Sequence, residues 1–138
     1  MPFTISVKLG GSAMTYQDSI PPSILVVEEH MKTYLYAISR RDIPLAHQSI
    51  QSAHAAIEYA RIYDMQSSPS YIHLTVRDKA ALEKLREKLN SNSHQTSEFK
   101  EPYQDWGLTA IACCLSEDER HELRGLPLWR LPTQGETA

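Results

Sequence analysis

Five side chains recur at spacings of four, three, four and three: His47, Gln51, His54, Glu58 and Arg61. On a helix turning about 100° per residue they fall within a sector of roughly 80°. Imidazole titrates near neutral pH, so a histidine on this line can take a proton from water as the water attacks a carbonyl. The line starts near the helix N-terminus, where free N–H groups and a partial positive charge favour an anion or a developing oxyanion. The same pattern also describes an ordinary solvated flank. His54 lies nearest the apolar stripe and equally fits a half-buried, hydrogen-bonded histidine. Cys113 and Cys114 stand in an apolar run and read as core filler rather than reactive thiolates. The six histidines lack zinc-ligand spacing, so no metal and no cofactor are expected. Gly10-Gly11 is too short for a phosphate loop. Tyr103 and Trp106 flank Asp105 and offer either stacking surfaces for a nucleobase or cover for a sheet edge.

These groups need a scaffold. The apolar run within residues 33–39 predicts a strand covered on both faces. Arg40-Arg41-Asp42 and Pro44 make a polar turn after it. Residues 46–63 predict a helix, with Ala46, Ile50, Ala53, Ile57 and Ala60 on a face expected to pack against a sheet. Residues 67–70 are a loop and 71–76 a second strand. Asp78 is a candidate N-cap for a second helix, ending near Asn90, with Leu82, Leu85 and Leu89 inward. Glu83, Arg86 and Glu87 read as its solvated face. Residues 91–106 are polar and suggest no element. A buried strand follows at 108–115, then a Ser116/Glu119 capping box and Gly125 as a C-cap. This alternation predicts an α/β fold: a three-layer sandwich with a small, mostly parallel mixed sheet and helices on both faces.

Two segments carry a family resemblance. Arg40-Arg41-Asp42 followed by Gln51-Ser52-Ala53-His54-Ala55 resembles the Arg-x-Asp…Gln-x-x-His-Ala signature of type-2 peptidyl-tRNA hydrolases. Leu108-Thr109-Ala110-Ile111-Ala112 resembles that family's threonine-bearing last strand. The match runs over residues 33–116 in the same element order. It implies hydrolysis of the ester between a peptide and the tRNA terminal ribose. It further implies catalytic roles for His54, Gln51 and Thr109, and substrate contacts from Arg40, Arg41, Asp42 and His47. Peptidyl-tRNA is the implied partner, and homodimers are common in the family. The chain departs from the pattern in the segment between Asp42 and Gln51, which has no lysine and no glycine where the family has a lysine-bearing, glycine-rich loop. The family's Asp-Ala-Gly-x-Thr segment before the last strand is also missing, and in its region Glu98, Glu101 and Asp105 stand as candidates for the acidic partner. A non-catalytic module binding tRNA, a nucleotide or a protein on the same fold is the alternative reading.

The 138 residues, 41% hydrophobic and 22% charged, suit one globular domain that needs no disulfide or metal. They divide into an extension at 1–30, the main domain at 31–126 and a tail at 127–138. The extension holds one or two short strands and is a candidate for pairing two copies. Leu128, Trp129 and Leu131 are candidates for docking the tail. The net charge of −3 excludes a protein that grips nucleic acid through many phosphates, so any RNA contact must be local. There is no signal-peptide pattern and no run long enough to cross a membrane. The expected location is the cytoplasm.

Overall fold

The computed structural model describes residues 32–132. The strands expected within residues 1–30 lie outside the described residues. In order come β1 (Thr33–Arg40), α1 (Leu45–Tyr63), β2 (Ser70–Val76), α2 (Lys79–Ser91), β3 (Thr96–Lys100), β4 (Leu108–Ser116) and a 3-10 helix (Glu117–Leu123).

The fold is α/β, with four strands ordered β2-β1-β4-β3. The expectation of a mostly parallel sheet is corrected. β1 pairs parallel with β2, while β1–β4 and β3–β4 are antiparallel. The physical reason is the connections. Parallel pairing requires a crossover connection, and of the two helical crossovers only the α1 one joins sheet neighbours, β1 and β2; α2 carries the chain from β2 at one edge to β3 at the other. Residues 101–107 join β3 to β4 as a short return, which suits antiparallel neighbours.

The polar stretch thought to lack structure contains β3. An edge strand hides one side only, so Ser97 is buried while Glu98 and Lys100 face solvent, and the apolar signal is weak. Its Ser97 hydroxyl donates to the Ala55 carbonyl of α1 at 2.7 Å.

Alternate residues of the central strands serve opposite faces. Tyr34, Tyr36 and Ile38 of β1 join Ile111, Cys113 and Leu115 of β4 in packing against Leu82 and Leu89 of α2 and Leu123. Leu35, Ala110 and Ala112 pack against Ala55 and Tyr59 of α1. Asp78 caps α2 as expected, accepting from the Ala81 N–H at 2.9 Å. Arg86 of α2 is not merely solvated, since it pairs with Glu98 at 3.2 Å. Gly125 has φ +91°, just past the Arg124 cap, and supplies the left-handed residue that ends the 3-10 helix.

The face α1 buries is not the one its apolar stripe predicts. Gln48, Gln51, Ser52, Ala55 and Tyr59 point at the sheet. Ile50 is 46% and Ile57 61% exposed. Ala46, Ala53 and Ala60 are exposed too. Buried glutamine and serine are tolerated only when hydrogen-bonded, and each of these has partners. The Gln48 amide donates to the Ile43 carbonyl at 2.8 Å and so holds the turn before the helix.

The tail covers part of the β2 edge. The Thr75 N–H donates to the Pro127 carbonyl and the Trp129 N–H to the His73 carbonyl, both at 2.9 Å. Leu128 and Leu131 stay largely exposed, so the docking runs through backbone and Trp129.

Candidate functional site

The candidate site lies where α1 crosses the end of β4. The register between β3 and β4 slips at one place: Phe99 pairs with Ala110, and Lys100 with Leu108. Thr109 is the extra residue of this bulge. Bulges re-aim side chains, and here the Thr109 side chain turns toward α1 beside Ala110. Its hydroxyl has one proton and two acceptors in reach, Gln51 Oε1 at 2.7 Å and the Phe99 carbonyl at 2.9 Å. Gln51 Nε2 donates onward to Glu101 Oε2 at 2.8 Å. Thr109 and Gln51 are both fully buried. They form a fixed chain that ends on a carboxylate at the surface.

Of the three acidic candidates, Glu101 is the one this chain reaches. Its other oxygen accepts from the Tyr103 N–H at 3.3 Å. The Gln51 hydrogen bond first, then the Tyr103 N–H and the nearby His54 and His47, hold its carboxyl below the usual range. Glu98 is committed to Arg86.

His54 is exposed and lies flat on Phe99, ring centroids 4.3 Å apart. It is therefore not the half-buried core histidine. His47 is half-buried and meets Trp106 edge-on at 5.1 Å. Its Nδ1 is shut from solvent without a hydrogen-bond partner among the described residues. Trp106 thus packs on α1, while Tyr103 is 89% exposed and covers no edge. Glu58 and Arg61 pair with each other at 2.6 Å further along the helix.

The carried-over arginines separate. Arg40 is buried, and its Nε and Nη2 fork onto both oxygens of Asp42 at 2.8 and 2.9 Å. That pairing, above all its hydrogen bonds, holds the Asp42 carboxyl below the usual range. Arg40 Nη1 donates to the carbonyls of Trp106 and of Leu108, the latter at 3.1 Å. Between those carbonyls Gly107 has φ +69°, a conformation that favours glycine. Arg40 therefore anchors the turn that feeds the bulge. Arg41 is exposed and reaches Thr75 Oγ1 at 3.2 Å. α1 is preceded by Pro44 at its N-cap, which gives no side-chain cap.

A second polar cluster lies on the other flank of α1, and the sequence analysis did not find it. Its members are dispersed: Ser39 on β1, Ser52 on α1, and Tyr71 and His73 on β2. His73 Nε2 meets Ser39 Oγ at 2.7 Å. The Tyr71 hydroxyl donates to Ser52 Oγ at 3.1 Å. Trp129 stacks on the His73 ring at 5.2 Å. Burial pushes the His73 imidazole down to about 4. The unfolded chain, with histidine at 6.5, then binds more protons, so stability present above pH 6.5 is lost as pH falls toward 4. Denaturant titrations at pH 7 and pH 5 are expected to differ by about 1–2 kcal/mol. A His73→Gln variant is expected to flatten that difference. The lowered carboxylates, Asp42 and Glu101 among them, act only below about pH 4.5 and leave the window clear.

Both cysteines are unsuited to chemistry: burial pushes the Cys113 thiol up to about 12 and raises Cys114 as well. Among the described residues no cluster of His, Cys, Asp and Glu is placed to hold a metal, and no helix is long and apolar enough to cross a membrane.

No protein-family model matches the chain. No curated protein matches it either. Among solved structures, a protein of unknown function from Agrobacterium tumefaciens strain C58, Atu0240, is similar, with a TM-score of 0.56 at 11% identity over 70% of this chain and 97% of that one. At that identity the likeness shows a shared fold and nothing more.

Proposed function

We propose that this chain is a peptidyl-tRNA hydrolase-like enzyme, cleaving the ester between an acyl group and the tRNA terminal ribose. The observation that carries this reading is the buried Thr109–Gln51–Glu101 chain, which ends beside His54 and His47. Thr109 and Gln51 touch no substrate in this scheme. They are positioning residues that fix the Glu101 carboxylate. His54 takes a proton from water as the water oxygen bonds to the ester carbonyl carbon. The tetrahedral intermediate then collapses, breaking the bond to the ribose oxygen, which leaves with the proton from His54. The carboxylate of Glu101 favours the imidazolium formed in between. Exposed Tyr103 offers a face for the terminal base. Arg41 is the group left for phosphate, joined by His47 only when its imidazole is protonated.

A different observation favours the non-catalytic reading, a binder of tRNA ends on the same fold. Arg40 is committed inside the protein, and residues 43–50 carry no lysine, so little charge is free to orient a substrate.

The deciding experiment measures release of free tRNA from a labelled peptidyl-tRNA analogue at low salt, wild type beside His54→Ala. Release by wild type, reduced by about 100-fold or more in the variant, is the expected outcome. Salt-sensitive binding without release by either protein would replace the enzyme with the binder.

A further inference from the structure

A cavity of about 750 Å³ opens between the 3-10 helix, β2 and the tail, on the face of the sheet opposite α1 and the candidate site. Small-molecule sites commonly run from about 300 to about 1,000 Å³, mostly apolar with a few fixed polar groups.

The floor of this cavity is apolar. Ile72 and Leu74 of β2 form it, and Leu128 of the tail makes a wall. Leu74 and Leu128 oppose each other in an antiparallel bridge, so their side chains stand on the same face of the sheet. The Thr75-to-Pro127 and Trp129-to-His73 backbone bonds clamp the chain on either side of Leu128. Yet Leu128 is 66% exposed. The tail therefore fixes a large apolar side chain at the mouth of a cavity and leaves it uncovered.

The charged side comes from the 3-10 helix, and its innermost charge is Arg120. The Arg120 Nε donates to the Tyr36 hydroxyl at 2.7 Å, and the guanidinium carbon lies 4.0 Å from the centre of the Tyr34 ring. Both tyrosines are buried. They hold the guanidinium in place without neutralising it. Nη1 stands 3.6 Å from Glu117, beyond hydrogen-bond length, and the Glu117 side chain is 65% exposed, where a loose ion pair contributes little. Arg124, at the end of the same helix, lines the cavity with no side-chain hydrogen bond or ion pair among the described residues. Glu117 and Asp118 lie at the exposed rim.

We propose that this cavity is a binding site for a small organic anion with an apolar body: a carboxylate whose ring or chain lies against Ile72, Leu74 and Leu128 and whose charge meets Arg120 and Arg124. The planar guanidinium matches a carboxylate with two parallel hydrogen bonds. Arg120 is already fixed, so it loses little freedom when the ligand arrives. An inorganic anion would leave the apolar wall unused, and a cation would meet Arg120 at the deep end. The site lies across the sheet from His54 and Glu101, and it stands whether or not the chain cleaves an ester.

The test titrates the full chain with 1-naphthoate, from about 10 μM to about 5 mM, following backbone amide shifts by NMR. Saturable shifts are expected at Ile72, Leu74, Arg120, Leu123 and Leu128. Acetate, which keeps the charge without the body, and 1-naphthylmethylammonium, which keeps the body and reverses the charge, are each expected to bind about 10-fold more weakly or not at all. Arg120→Met is expected to weaken naphthoate binding by about 10-fold or more. Leu128→Asp is expected to do the same, and because Leu128 is 66% exposed that variant keeps the fold and decides the question even where Arg120→Met does not fold. Absence of saturable shifts at these residues overturns the proposal. So does a Leu128→Asp chain with wild-type affinity, or equally tight binding of either control compound.

Discussion

Glu101→Gln is expected to lower the rate of ester release by about 100-fold or more while leaving stability nearly unchanged. The substitution keeps the shape of the side chain. Its carbonyl oxygen can still accept from Gln51 Nε2, so the buried chain back to Thr109 survives. What disappears is the negative charge facing His47 and His54. If that charge supports the imidazolium formed as water attacks, its loss raises the barrier without disturbing the ground-state fold. The pH profile separates this role from a structural one. The Glu101 carboxyl is held below its ordinary value of 4.5, chiefly by Gln51. The wild-type rate should therefore show a further fall beneath that value, where the carboxylate is protonated, added to the fall from protonating the base His54, and the glutamine variant should keep only the latter. Glu98→Gln and Asp105→Asn serve as controls and are expected to leave the rate intact, the first because Glu98 pairs with Arg86 on the sheet edge. A Glu101→Gln protein with wild-type rate and profile would remove Glu101 from the mechanism.

How much of this was legible in the sequence depends on how local each signal is. β1 and β4 announced themselves because both are central strands covered on two faces, so nearly every residue is apolar or small. The Asp78 cap, the Ser116 and Glu119 pair and Gly125 were visible because capping works over three or four residues. β3 was invisible because an edge strand hides a single side. The error on α1 is the informative one. Hydrophobic periodicity finds the face that avoids water, and it assumes one such face per helix. This helix has two uncharged faces, and only one of them meets the sheet. One is mainly polar and small, stabilised by hydrogen bonds to Thr109, Glu101, Tyr71 and the turn at Ile43. The other is apolar and exposed. A buried glutamine reads as surface until its distant partners are known, and those partners lie 50 and 58 residues away. The carboxylate at the end of the chain could not be chosen among three for the same reason, since only the fold brings Glu101 to Gln51. His73 and Ser39 went unnoticed because they sit on neighbouring strands and share no sequence spacing.

Arg40→Met is expected to destabilise the domain by about 2–4 kcal/mol, against less than about 0.5 kcal/mol for Arg41→Met. The two are adjacent in sequence, yet only Arg40 points inward. Methionine at 40 fills much of the same volume, so the cost is not a cavity. It comes from groups left without donors: the carbonyls of Trp106 and Leu108 at the Gly107 turn, and the carboxylate of Asp42. Asp42 is 41% exposed at its side chain and can recover water, so the carbonyls carry most of the loss. Lysine at 40 keeps the charge but cannot form the fork or reach three acceptors at once, so Arg40→Lys is expected to fall close to the methionine variant. Urea unfolding of the three proteins at pH 7 measures all of this directly. The consequence for the site follows from the chain order. Arg40 holds the turn immediately before Thr109, and Thr109 is the residue the bulge aims at Gln51. Loosening that turn frees the bulge, and with it the placement of Glu101. A lysine variant that is folded at low temperature yet slow in ester release would show that Arg40 acts through position. Equal stability of the Arg40 and Arg41 variants would instead show that the fork onto Asp42 contributes no more than an ordinary surface ion pair.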